Sequence, residues 1–197
     1  MNDSPKHGEP DDQQPDPAPK PTSSEIAGAA ILAYAVLLAL LWIGLDWFDA
    51  LERLPSALFV DRDPWIALAI ALPCALLGAV YTATLSRLLP SVRAVEQKCA
   101  AACGTPSDFT IAAFSMLCAT AEGLTIRYWL QDWRGFLPSL AIAVAMSIGP
   151  GFWRMWPVFL GIAALLGGMV ELGSGLASSI LAHALILYWS LRRIFFQ

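Results

Sequence analysis

Ala121–Gln131 reads AEGLTIRYWLQ and sets a carboxylate, Glu122, and a guanidinium, Arg127, within an otherwise apolar segment. An ionisable side chain inside a membrane span costs at least ~2.5–3.5 kcal/mol on insertion scales, so its default reading is a functional group facing the interior of a helix bundle. His183 is a second such group, in the last apolar run of the chain. If the flanking segments are membrane spans, the fold is an all-α polytopic bundle and these three residues are its candidate site.

The whole chain supports that reading. Of its 197 residues 57% are hydrophobic and 14% charged, and the mean hydropathy is +0.58. These values exclude a water-soluble domain and fit a polytopic membrane protein whose surroundings are the lipid bilayer. The net charge of −4 comes from the N-terminal tail and the first loop, and without a basic stripe nucleic acid is not an expected partner. Cys74 and Cys118 fall within apolar spans and read as small packing residues. Cys99 and Cys103, at i,i+4 spacing, could bind metal or form a bridge, although two small residues on a connector helix is the preferred reading.

Working outward, Met1–Ser24 carries six prolines among Asp, Gln, Lys and Ser and is expected to be a disordered or polyproline-like tail. It does not fit a signal peptide, because its charged region is acidic and the apolar run behind it is as long as a full span. The transmembrane bundle is expected over 25–197 in about six spans. Ile26–Leu45 passes twenty residues without a charge, enough for a ~30 Å hydrocarbon core at ~1.5 Å per residue. Trp42, Trp47 and Phe48 follow as an interfacial belt. Asp63 and Pro64 read as cap and first turn of a second span ending near Leu89. Pro90–Ser107 is a polar connector with room for a short interfacial helix and a turn at Gly104–Ser107. The third span is expected from Asp108 to about Leu130. Leu137–Ile148 is a short fourth, ended by Gly149-Pro150-Gly151, Trp156–Val170 the fifth and Leu176–Leu191 the sixth.

Counting Lys and Arg sets the orientation. Lys6, Lys20, Arg87, Arg93, Lys98, Arg154, Arg192 and Arg193 fall on one side of a six-span topology, and Arg53, Arg62, Arg127 and Arg134 on or near the other. Eight against four places both termini in the cytoplasm, with Glu122 past the middle of its span toward the opposite face. Small residues in the last two spans, Gly161, Ala164, Gly167 and Gly168, then Gly173, Gly175, Ala177, Ser178 and Ser179, allow close helix packing that would bring His183 toward Glu122.

AEGLTIRYWLQ, the Gly149-Pro150 break and the closing run GSGLASSILAHALILYW together resemble the CPBP family of intramembrane proteases, the CAAX-protease and bacteriocin-processing group, over roughly 105–190. The resemblance implies a glutamic endopeptidase of a bacterial inner membrane that processes a membrane-embedded or lipid-anchored protein without a metal or other cofactor. Glu122 stands where the family has its water-activating glutamate, Arg127 where it has its arginine, and His183 where it has its terminal histidine. Gly123 replaces the second glutamate, Ala143 the phenylalanine and Ser147 the histidine of the FxxxH motif, and Leu187 the asparagine that follows the last histidine.

These departures have chemical consequences. Without a carboxylate at 123, Arg127 loses an i,i+4 partner and has to snorkel or turn to Asp132 or Glu122. Ser147 is a possible substitute at its motif position, able to hold a water, but it is no base at neutral pH. Leu187 offers no donor to an oxyanion. Glu122 would then act alone as general base with His183 as electrophile, and Tyr188 and Ser179 are substitutes by closeness in sequence. The alternative is a catalytically inactive pseudoprotease serving as a membrane binding or adaptor protein. Lower in rank stand a Cys118/Glu122/His183 zinc trio in a chain lacking HExxH, a Ser147/His183 dyad of rhomboid type, proton or ion transport through Glu122 and His183, and a purely structural network.

Overall fold

The computed structural model describes Val36, Ala39 and residues 51–59, 64–147 and 153–196, and among these it is helical with no strand. The expected tail, first span, Asp63 cap and Gly149-Pro150-Gly151 break lie outside the described residues. A 3₁₀ turn, Leu51–Arg53, leads into the short α1, Leu54–Phe59. The helices that follow are α2, Pro64–Leu88, and α3, Pro90–Cys103. Then come α4, Asp108–Glu122, a π-helical stretch, Gly123–Leu130, and α5, Gln131–Arg134. The chain closes with α6, Phe136–Ser147, α7, Trp156–Glu171, and α8, Leu176–Phe195.

Three of these helices are long and apolar enough to cross a membrane: Pro64–Leu88 with 25 residues, the continuous Asp108–Arg134 with 27, and Trp153–Glu171 with 19. Large apolar side chains such as Leu72, Leu76, Leu77 and Val80 stand exposed on α2, the pattern of a face turned to lipid rather than water. Because π and α turns run on through Arg134, Glu122 is the fifteenth of the 27 residues. It therefore stands one residue past the centre of this helix.

Sequence chemistry accounts for the helix ends. Pro64 and Pro90 each open a helix, where the missing N–H has no partner to lose. Ser107 caps α4 by accepting from the Thr110 N–H at 3.1 Å. Gly173 and Gly175 hold φ of +73° and +81°, a left-handed turn that reverses the chain between α7 and α8 within four residues. Ser174 reinforces it with a hydroxyl bond to the Met169 carbonyl at 2.6 Å.

α8 sits at the centre. It packs against α2, α4 and α7, and its buried side chains include Ser178, Ser179, Ala182, His183 and Ile186. It runs parallel to α2, with Gly78 against Ile186, Thr82 Oγ1 3.0 Å from Ser190 Oγ, and Ser86 beside Arg193. It runs antiparallel to α4, pairing Arg192 with Asp108 at 3.3 Å near one end and Ile180 with Gly123 near the other. Close approach is bought by small residues in part: Gly78 and Gly161 leave room for Ile186 and Tyr81, while Gly168 meets nothing within 4 Å and contributes no such contact.

One end of the bundle is tied by charge. Arg193 donates to Glu96 Oε1 at 2.7 Å, and Ser86 donates to the other Glu96 oxygen. Glu96 is buried, so this triad fastens the connector helix α3 to α2 and α8. Replacing one partner strands the other. Arg193→Met is expected to lower stability by about 3 kcal/mol, read as a lower unfolding midpoint in detergent, and adding Glu96→Met is expected to restore most of it.

Candidate functional site

Glu122 and His183 come from α4 and α8 and face each other, with His183 Nε2 3.8 Å from Glu122 Oε2. That is too long for a direct hydrogen bond but leaves both atoms in reach of one water placed beside them. The His183 side chain is only 9% exposed and that of Glu122 39%. What Glu122 opens onto is a cavity of about 220 Å³ lined by Glu122, Arg127 and His183 together with apolar residues of α6, α7 and α8.

The π stretch is what places Arg127 there. In an α-helix residues five apart point well away from each other. In the stretch Gly123–Leu130 the hydrogen bonds run five residues back, as from the Gln131 N–H to the Ile126 carbonyl, so that residues five apart lie in adjacent turns. Glu122 and Arg127 therefore share a face. Thr120 and Thr125 flank the change of register, donating to the carbonyls of Met116 at 2.8 Å and Ala121 at 2.7 Å, the kind of back-bonding that bends and loosens a helix.

Arg127 does not snorkel. It is buried at 7% exposure, its Nη1 has no hydrogen-bond partner, and it lines the same cavity as Glu122 and His183. Gly167 of α7 makes the space, since a Cβ there would lie 2.8 Å from Nη1 and 2.7 Å from the Phe136 ring. One turn on, Gln131 donates to the Gly167 carbonyl at 3.1 Å and to Glu171 Oε1 at 2.7 Å. In the sequence Gln131 stands only as the last residue of AEGLTIRYWLQ. Its signal was a polar amide one turn beyond Arg127 on the same segment.

The other motif positions divide clearly. Gly123 is packed against Ile180, so a glutamate has no space there. Ala143 and Leu187 both line the cavity, which puts an apolar wall where the family pattern has a phenylalanine and an asparagine. Ser147 is the last residue of α6; its side chain lies outside what is described. Ser179 is already engaged with the Leu166 carbonyl at 3.2 Å, and Tyr188 is not part of the cavity lining. None of the four cysteines forms a disulfide among the described residues. Among the described residues no three His, Cys, Asp or Glu side chains converge as a metal site.

Compared with protein-family models, with curated proteins and with solved structures, the chain matches none. The site therefore has to be read from its own geometry: the Glu122 carboxylate, one imidazole and one buried guanidinium around a small cavity that Glu96, held by Arg193, also lines.

Cys99 of the connector helix α3 also lines that cavity. Burial raises its thiol above the ordinary value, and the neighbouring Cys103 and Glu96 push the same way. A raised value means less thiolate at a given pH. Alkylation of Cys99 is accordingly expected to be slow at pH 7 and to accelerate as pH rises beyond the ordinary thiol range, as followed by mass spectrometry. A second outcome concerns Gly123. Gly123→Glu is expected to destabilise the bundle by about 1–3 kcal/mol through overpacking, and Ile180→Ala in the same chain is expected to relieve it, both read by thermal unfolding.

Proposed function

We propose that this chain is an intramembrane endopeptidase of the CPBP type, a bundle of about six spans in a bacterial inner membrane with both termini in the cytoplasm. It processes a membrane-embedded or lipid-anchored protein. The observation that carries the reading is the pairing of Glu122 with His183 across 3.8 Å at the edge of one cavity, with the buried Arg127 on the same wall. The cationic bias of eight against four on the two sides supports the topology.

In this reading Glu122 takes a proton from a water held between it and His183. The resulting hydroxide attacks the scissile carbonyl, and an N–H of His183 stabilises the oxyanion that forms. The proton on Glu122 then passes to the leaving amine. Arg127 orients Glu122 and balances its charge in a site from which water is largely excluded.

Leu187 and Ala143 on the cavity wall favour a second reading. A leucine where an asparagine would donate removes one stabilising contact, and such a loss typically costs about 10²–10³ in rate. A pseudoprotease that binds a membrane segment without cutting it would have this wall.

The deciding experiment incubates the purified full chain in liposomes with a panel of transmembrane and lipid-anchored peptides. Wild type is expected to cleave at least one of them, with Glu122→Gln and His183→Ala each reducing the rate by about 10² or more. A folded wild type that binds peptide yet cuts none would establish the pseudoprotease instead.

A further inference from the structure

The cavity that holds Glu122 and His183 extends well beyond them. On α8 its lining runs from His183 through Leu187 to Ser190 and Ile194, a rise of about 16 Å. Two turns from His183 a second polar group appears, where Glu96 of α3, Thr82 of α2 and Ser190 all line the same space. Thr82 gives its proton to the Ala79 carbonyl at 2.9 Å. In the 3.0 Å contact between the Thr82 and Ser190 hydroxyls, Ser190 is therefore the donor, and its oxygen keeps acceptor capacity for a water.

Against the same stretch of α3 lies an open pocket of about 440 Å³. Its mouth is formed by Lys98 and by Trp153 and Arg154 of the 3₁₀ turn Trp153–Met155 ahead of α7. Lys98 and Arg154 are both exposed, and two such cations place this mouth in water and not in hydrocarbon. Val95 and Cys99, one turn apart on α3, line the open pocket and the inner cavity alike. Met155, the neighbour of Arg154, already lines the inner one. Between the two spaces the partition is thus a single layer of small side chains. The ion pair of α3, from Glu96 to Arg193, fastens that helix to α8, so the seam toward the Trp153–Met155 turn is closed by packing of Val95 and Cys99.

We propose that the seam between α3 and the Trp153–Met155 turn is the aqueous entrance to the Glu122–His183 cavity, with Val95 and Cys99 as its door and the Thr82, Ser190 and Glu96 group as the first polar stop inside. Water passes from the basic mouth to that stop and on along α8 to Glu122. As the supply of hydrolytic water the entrance rests on the peptidase reading. As a passage it is read by labelling without any cleavage, so the two fail separately.

The test puts a reporter thiol in the inner cavity by Leu187→Cys, in the full chain carrying Cys74→Ala, Cys103→Ala and Cys118→Ala. Sealed membrane vesicles of each orientation are treated at about pH 8.5, where thiolate is available, with a membrane-impermeant sulfonate methanethiosulfonate. The reporter thiolate displaces sulfinate and forms a mixed disulfide, counted by mass spectrometry. Cys99→Ala thins the partition and Cys99→Phe thickens it. Leu187→Cys is expected to label in the orientation that also labels Lys98→Cys at the mouth, about tenfold faster with Cys99→Ala than with Cys99→Phe. Ala102→Trp, at an exposed position of the outer pocket, is expected to slow it too and serves even if Cys99→Phe does not fold. Labelling of Leu187→Cys at one rate in all three chains, or from the face opposite Lys98→Cys, overturns the entrance. So does a reporter that reacts with a membrane-soluble maleimide and not with the sulfonate, which assigns a dry cavity open to lipid. A labelled reporter in a chain that cuts no peptide upholds the entrance and removes only its use in hydrolysis.

Discussion

A carboxylate at the middle of a membrane-length helix must be surrounded by protein, and the packing of this bundle follows from that constraint. Glu122 is the fifteenth residue of a 27-residue apolar helix, a depth at which exposure to hydrocarbon is costly. The chain answers by placing α8 alongside, so that His183 faces Glu122, and by switching to π geometry one residue later, so that Arg127 turns to the same side. Three ionisable groups from two helices are thus collected around one cavity instead of being scattered toward lipid. Gly167 then has to be a glycine, because the guanidinium occupies the space its side chain would take.

The central position of α8 follows from the same requirement. Its composition, with Ser178, Ser179 and His183 in the first half and Arg192 and Arg193 at the end, would suit lipid poorly. In this structure each of them has a partner or a cavity, the Arg192 pair at an exposed end. Ser178 and Ser179 bond carbonyls of Ser174 and Leu166, His183 faces the cavity, Arg192 meets Asp108 and Arg193 meets Glu96. That is why α8, although 20 residues long, is not among the three helices whose composition alone marks them as able to cross a membrane. Its polar groups are satisfied by neighbouring helices, which is the condition under which polar side chains are tolerated at depth.

Much of this was legible in the sequence, and the exceptions have physical causes. Helix positions followed from charge-free runs and from proline and glycine punctuation, so α2, α6, α7 and the start of α8 fall within a residue or two of the expected boundaries. The connector helix α3 was readable from its Leu, Val and Ala spacing. The pairing of Glu122 with His183 followed from reasoning about charge in lipid. What did not follow was the π register, because no local pattern distinguishes GLTIRYWL from an α-helical run; the widening depends on hydroxyl back-bonds and on packing against α8. For the same reason the sequence left Arg127 between snorkelling and turning to Asp132 or Glu122, and the π register brings it to the cavity it shares with Glu122. Nor could the sequence show that Gly123 is filled by Ile180, a contact made across 57 residues of chain.

The charge of Arg127 constrains how the site can work. A guanidinium does not give up its proton, so it cannot be neutralised to relieve its burial, and its charge must be balanced by a carboxylate nearby. In the cavity that Arg127 lines, Glu96 is taken by Arg193, and one turn on Glu171 accepts from Gln131, which leaves Glu122 on the same helix as the balancing group.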